Sequence, residues 1–283
     1  MDPSGPPSIE LGAGAATYVW GARRRPFVHP LRSPAGDVLT VDAPADHPWH
    51  HGLWFAIKLV NGENFWEEFD AYGVVRHDGP PQRRDVGGAT TLHGTLAWIR
   101  PDRRTVVLRE ERTVAFVPLE PTAHALDWTV RLVPEVDVVL DRTPYTTWGG
   151  YGGLTIRGRP DWHDTTLRIA GSGPVDRLRG ERSPWCDLGG PVAGSGRHAG
   201  VLVLAHPDNV AHPTPWYAST RADTYGDEGW SNFCNAAVLW EGPLTVPAGE
   251  SLVLRHRVVV HDGPWSEDRC AAAHLAWAGS VGG

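Results

Sequence analysis

Apolar and polar positions alternate with a period of two along most of the chain. Between Ala125 and Leu132, Leu126, Trp128, Val130 and Leu132 alternate with Asp127, Thr129 and Arg131. This pattern gives a strand one buried and one wetter face. Thr90 to Ile99, Thr105 to Val117, Leu154 to Gly158, Thr165 to Ala170, Ala236 to Trp240 and Ser251 to Val260 are further β-rich runs. Leu53 to Val60 is a continuous apolar run, and Val201 to Ala205 has the pattern of a fully buried strand. The 33 Gly and 25 Pro punctuate the chain at short intervals, and Asn61-Gly62 is a hairpin-turn signal. Helical spacing is confined to the carboxyl end, where Ser266 caps a helix through about Ala278 with Glu267 and Asp268 in its first turn. The pattern predicts an all-β protein: a large antiparallel β-sandwich with a short C-terminal helix over about 264–278. One domain over 1–283 is expected, with residues 1–15 loosely ordered.

Composition narrows the function. At 283 residues, 41% hydrophobic and 21% charged, the chain has ample material for a core. No run approaches the roughly 18 apolar residues of a membrane helix, so no membrane partner is expected. Met1 to Pro7 lacks the basic and apolar regions of a secretory signal, which predicts a cytoplasmic location. A net charge of −7 and a pI near 6.0 argue against nucleic-acid binding. The basic run Arg23-Arg24-Arg25 reads as a solvated edge. Lys58 is the lone lysine, which disfavours Schiff-base chemistry, and the three cysteines are too scattered for a disulfide framework. The 14 Trp are informative, because indole offers a flat apolar face with a polar handle, a match for sugar rings.

The densest chemistry lies in Asp46-His47-Pro48-Trp49-His50-His51-Gly52-Leu53-Trp54, where three imidazoles fall within five positions at the mouth of an apolar run. Imidazole suits proton transfer near neutral pH and metal ligation, and both uses stand open here. His206-Pro207-Asp208-Asn209 with His212-Pro213-Thr214-Pro215-Trp216 repeats that chemistry after a buried strand. His29-Pro30-Leu31-Arg32 closes a strand over Phe27 to Arg32. In Phe65-Trp66-Glu67-Glu68-Phe69 the two carboxylates point oppositely if the segment is a strand, so at most one faces a cleft. Trp148 to Gly153 adds aromatics, including Tyr151, on a glycine-rich backbone. Glu110 and Arg112 share parity with Val106, Leu108 and Val114, which reads either as a buried ion pair or as a carboxylate reaching a cleft; His256 shares parity with Leu254 and Val258. Gly-x-Ser-x-Gly, His-Glu-x-x-His and dinucleotide fingerprints are absent.

Taken together, His29 to Arg32, Asp46 to Trp54, Val60-Asn61-Gly62 with Phe65-Trp66, His212 to Trp216 and the closing Ala248-Gly249-Glu250 and Val260-His261-Asp262-Gly263 resemble the PmoA-like family of soluble bacterial proteins. Trp49 and His51 depart from that family's pattern, which has His and Arg there. The resemblance implies His47 and His50 as site residues, companionship with sugar oxidoreductases, and a galactose-mutarotase-like supersandwich.

The expected function is carbohydrate chemistry by acid and base: epimerisation, or elimination or hydrolysis of an oxidised glycoside. The enzyme would then be of isomerase, lyase or glycoside hydrolase type. His47, His50, His212 and Glu67 are the expected acid–base set, with Arg32 holding an oxyanion. His29, Trp54, Asn61, Trp66, Tyr151, His206 and Trp216 are the expected substrate contacts. No cofactor is required. The alternatives are a divalent metal (Zn, Cu, Ni or Fe) held by His47, His50 and His212, and a non-catalytic protein that binds a sugar or a partner. The two His-rich stretches, distant in sequence but alike in chemistry, are expected to converge on one cleft.

Overall fold

The computed structural model describes residues 6–21, 23–143, 150–222 and 230–280. Alternation along the strands becomes two stacked antiparallel sheets. The first sheet runs in the order Ser8–Leu11, Ala16–Val19, Phe27–Leu31, Leu53–Ala56, Gly153–Arg157, Phe233–Ala236, Thr214–Ser219, Arg177–Ser183. The second runs Thr166–Ile169, Trp185–Pro191, His198–Ala205, Leu252–Asp262, Ala123–Pro134, Val106–Glu120, Ala89–Ile99, Val74–His77, with Gln82–Val86 also paired to Ala89–Ile99. A small four-stranded sheet joins Leu244–Val246, Val138–Asp141, Leu59–Val60 and Glu63–Asn64. The last two strands form the hairpin at Asn61-Gly62, where both residues have positive φ (51° and 79°).

Parity sets what each face covers. Leu53, Phe55, Leu154, Ile156 and Trp216 of the first sheet share the inter-sheet core with Trp98, Val114, Leu126, Trp128 and Val258 of the second. The outer face of the second sheet presents Ala125, Trp185, Leu202, Leu204 and Val259. The helix Glu267–Ser280 covers them with Cys270 and Trp277. Ser266 caps that helix as expected, its Oγ accepting from the Arg269 amide at 3.3 Å. The outer face of the first sheet carries Val19, Phe27, Trp54, Ala56 and Phe233, against which Trp49, Trp66, Tyr151 and Tyr217 pack. Trp54 thus lies under an aromatic layer instead of in the inter-sheet core, and the Leu53–Ala56 strand is buried on both faces, which accounts for its unbroken apolar run.

Three expectations change. Ser8–Leu11 is an ordered edge strand paired with Ala16–Val19, where loose chain was expected to residue 15. The run Ala236 to Trp240 is a strand only to Ala236, beyond which a turn takes over, with the Trp240 amide bonding the Ala237 carbonyl at 2.9 Å. Arg177–Ser183 is a strand hidden by its polar composition, as an edge strand permits. Glu110 and Arg112 form a buried pair: Glu110 Oε1 accepts from Arg112 Nε at 2.5 Å and Oε2 from Trp98 Nε1 at 2.9 Å, so this carboxylate belongs to the core. The three cysteines are free and buried. No helix among the described residues is long and apolar enough to cross a membrane.

Candidate functional site

Two successive turns shape the histidine loop. The His47 amide bonds the Pro44 carbonyl at 3.1 Å and the His50 amide bonds the His47 carbonyl at 2.9 Å, which superposes residues three apart. The His47 and His50 rings consequently stack, 4.6 Å between centroids. Gly52 then turns the chain into its strand with φ +60°, and a Cβ there would lie 2.4 Å from the Val28 carbonyl oxygen, so no other residue fits. His50 rests on Trp54 at 5.1 Å and Phe233 at 5.4 Å, and Trp49 meets His47 edge-on at 5.3 Å.

Carboxylates then fix the imidazoles. A carboxylate only accepts, so His47 Nδ1 donates to Asp46 Oδ2 at 2.9 Å. Arg157 Nη2 donates to the same oxygen at 2.8 Å. Burial acts to raise the Asp46 pKa, but the His47 hydrogen bond and the Arg157 charge outweigh it and hold the group below the usual carboxylate value. Arg157 Nη1 also donates to His50 Nδ1 at 3.4 Å, which puts the His50 hydrogen on Nε2. Burial, with the neighbouring charges of His47 and Arg157, pushes the His50 pKa well below 6.5, so this ring is neutral at neutral pH.

Glu67 completes the site. Lys58 ion-pairs with Oε1, Asn64 Nδ2 donates to Oε2 at 2.6 Å, and Lys58 Nζ sits 5.7 Å above the Tyr151 ring. His47, Trp49, His50, Trp66, Glu67, Tyr151, Tyr217 and Phe233 together line a cavity of about 90 Å³. Glu68 lines a separate cavity, so both carboxylates face clefts where at most one was expected to; the 65–69 segment is bent, not a strand. Beneath both, the buried His51 ring is bracketed by Asp42 (Nδ1 to Oδ1 2.6 Å) and Glu68 (Nε2 to Oε1 3.2 Å) and lies on Phe27 at 4.8 Å.

Of the expected acid–base set, His47, His50 and Glu67 converge and His212 does not. The His212 ring stacks on His274 of the terminal helix at 6.2 Å, and His206 meets Trp277 edge-on at 5.5 Å. That helix covers the second sheet, so the two His-rich stretches lie on opposite outer faces of the sandwich. The expected metal set His47, His50 and His212 therefore does not form, and no group of three His, Cys, Asp or Glu among the described residues is arranged to hold a metal ion.

Trp66 and Tyr151 are walls, whereas the other expected contacts serve the fold. Trp54 is a fully buried support under His50. Trp216 faces the inter-sheet core, its Nε1 donating to the Ser183 carbonyl at 3.0 Å. Asn61 ties its turn to Asp137 and Val139. His29 Nδ1 meets Thr40 Oγ1 at 3.0 Å, and Arg32 donates to the Gly36 carbonyl at 3.3 Å, neither lining the cavity. Trp148 and Gly149 lie outside the described residues. Sequence reading placed Asp46 and Trp49 in the histidine stretch without giving them a role, and missed Arg157, Tyr217 and Phe233. The signal for Tyr217 was parity with Trp216, which is usable only once Trp216 is known to point inward.

The chain belongs to a family of unknown function (DUF6807), whose model matches residues 12–275. This corrects the resemblance to the PmoA-like family: the shared motifs are short, and the model that spans the chain is a different one. No curated protein matches the chain. Among solved structures, a galactose mutarotase related enzyme from Lactobacillus acidophilus is similar at TM-score 0.42 and 9% identity, with 90% of this chain and 97% of that one covered. The heparan sulfate lyase HepC from Pedobacter heparinus is similar at TM-score 0.41 and 10% identity, and a putative kojibiose phosphorylase from human microbiome at 0.34 and 9%. Coverage of this chain is 89% and 97% respectively, but it spans only 34% of the lyase and 27% of the phosphorylase.

Proposed function

We propose that the chain is a carbohydrate-active enzyme that moves a proton on a sugar held against the aromatic layer of the first sheet. Its reaction class is epimerisation or isomerisation, or elimination or hydrolysis of an oxidised glycoside. The observation that carries this reading is a carboxylate-oriented imidazole, Asp46 with His47, sharing one aromatic-walled cavity with a second carboxylate, Glu67. With Nδ1–H held by Asp46, the ring of His47 is oriented so that Nε2 is the atom assigned to exchange the proton. Glu67, gripped by Lys58 and Asn64, is fixed to accept from a substrate hydroxyl or carbon acid on the other side. His50 stays neutral and contributes an Nε2–H donor without competing for the proton.

The walls support the same reading. Tyr151 and Tyr217 stand 6.1 Å apart and nearly parallel, presenting flat faces to C–H groups, while hydroxyls reach the imidazoles and the carboxylate. A cavity of about 90 Å³ is below the ~300–1,000 Å³ of an enclosing ligand pocket, so it takes part of one ring and leaves the rest of a glycoside outside. The test is to titrate monosaccharides and 3-keto-glycosides in deuterated water, reading binding by calorimetry and carbon-bound exchange or turnover by NMR. Deuterium entering the sugar in the wild type but not in His47→Ala, with binding retained, is expected. Binding without exchange or turnover across the panel would make the chain a carbohydrate-binding protein instead.

A further inference from the structure

We infer that the arginine-walled cavity on the far side of the 64–70 segment is a binding site for an oxyanion borne on a ring, the chemistry of an acidic sugar unit. Glu67 and Glu68 are consecutive yet line different cavities, so the two sites are neighbours across one short piece of chain. The second cavity is the larger, about 690 Å³, and is lined by Trp20, Gly21, Arg23, Arg24, Arg76 and Arg103 with Glu68, Asp70 and His77. Four guanidinium groups face two carboxylates in a chain whose net charge is −7.

The pairing leaves positive charge in excess. Glu68 is committed inward, to His51 and Arg25 and to the Arg24 amide at 3.2 Å. Asp70 pairs with Arg24 but is itself solvent-facing, where such a pair contributes little. Arg23 reaches Asp42 at 3.4 Å. Arg103 donates to the backbone carbonyls of Tyr72 (2.6 Å) and Asp70 (2.8 Å), and the Arg76 side chain makes no ion pair or hydrogen bond among the described residues. Desolvation and then the like charges of Arg24 and Arg76 push the Arg103 pKa down, the signature of cations facing one another. An oxyanion is the group that relieves this, because guanidinium forks bind it through paired N–H donors. His77 does not supply the charge: its Nε2 is taken by the Tyr18 hydroxyl at 2.8 Å, and burial takes its pKa down to about 3. Trp20, set edge-on to His77 at 6.0 Å, gives the cavity a flat apolar wall, which a bare inorganic ion would not use but a sugar ring would. The sugar part rests on the carbohydrate reading above; the oxyanion part does not.

The experiment is calorimetric titration of the full chain with glucuronate, glucose, inorganic sulfate and inorganic phosphate at two salt concentrations. Glucuronate is expected to bind more tightly than sulfate or phosphate, glucose not to bind this cavity, and rising salt to weaken the complex. Arg76→Gln, which disturbs no existing bond, should weaken glucuronate about tenfold, the loss of one charge-assisted contact. Arg76→Glu should abolish the interaction, whereas Arg131→Gln, a surface arginine of the second sheet, should leave it unchanged. Thermal melting checks that each variant is folded. Failure of every anion to bind, or glucuronate binding that survives Arg76→Glu, overturns the inference. Sulfate binding as tightly as glucuronate overturns its ring component. Glucuronate binding that is lost in Tyr217→Ala but kept in Arg76→Glu would overturn the second site while supporting the aromatic one.

Discussion

On the outer face of the first sheet, His47 and His51 are held by carboxylates; in the loop that runs beneath the terminal helix, His206 and His212 are held by rings. His47 donates to Asp46, and His51 is bracketed by Asp42 and Glu68. Across the sandwich, His212 stacks on His274, whose Nε2 bonds the Ala205 carbonyl at 3.0 Å, and His206 packs against Trp277. Asp208 stands 3.6 Å from His206 but is largely solvent-exposed, and its backbone N–H donates to His206 Nδ1 at 3.2 Å, so it does not orient that ring as a proton donor. The two stretches share His-Pro steps and tryptophan, yet one opens on a cavity and the other seats a helix. The difference is whether a carboxylate acceptor orients the ring.

The largest expected effect separates the two faces by turnover. His47→Ala should lower turnover about 10²–10⁴-fold, the usual contribution of a positioned acid–base group, while His212→Ala leaves it within about twofold. Loss of turnover in both variants would join the two regions functionally and break the comparison.

A second expectation separates them by stability. Trp277 is 3% exposed in the cluster beneath the terminal helix, so Trp277→Ala should cost about 3–5 kcal/mol in denaturant unfolding without changing sugar affinity in whatever fraction remains folded. Tyr217→Ala, at the rim of the aromatic cavity, should do the reverse. It should weaken sugar binding about tenfold, with a smaller change in midpoint, since an aromatic wall contacts ligand in ground and transition states alike. Equal melting shifts in the two variants would show that the first face, too, is chiefly structural.

Much of the sandwich was legible because parity is local. The run Leu126, Trp128, Val130, Leu132 needs no tertiary knowledge to declare a face, and neither does Ser266 with Glu267 and Asp268 to start a helix. The candidate site was legible in part. Three imidazoles in five residues marked the loop, whereas a strand over Glu67 and Glu68 with at most one carboxylate in a cleft was expected, and a bent segment puts each in its own cavity. What stayed hidden depends on which face of which sheet a strand presents. Trp216 and Tyr217 are adjacent, so one must face the core and the other the cavity, and the choice is made by register with Ala236 and Asn235 on the neighbouring strand. His212 was misplaced for the same reason: nothing local states that the loop after His198–Ala205 passes under the terminal helix. Asp46 was given no role because a carboxylate next to a histidine in sequence acquires its role only when the turn folds it back onto the ring.

The smallest expected effect is a difference in pH dependence, and its sign follows from burial. Burial pushes the pKa of His50 well below 6.5, and lowers those of His206 and His212. Above pH 6.5 these rings are neutral both folded and unfolded and do not affect stability. As pH falls through 6.5, the unfolded chain takes up protons that the folded chain refuses, so stability declines by at most about 1.4 kcal/mol per pH unit per group until the folded value is reached. His77 and His256, each held to about 3, and His124, held to about 4, act in the same direction and form a common background. His50 is 2% exposed, whereas His212 is only half-buried and more of its shift is screened by water. Removing the titrating ring should therefore flatten the slope of unfolding free energy between pH 6.5 and 5 more in His50→Gln than in His212→Gln, whatever each substitution costs at pH 7. Urea midpoints at half-unit pH intervals give both slopes. A His50→Gln slope equal to wild type would mean that His50 is protonated in the folded chain, and the role of neutral donor beside His47 would have to pass to another group.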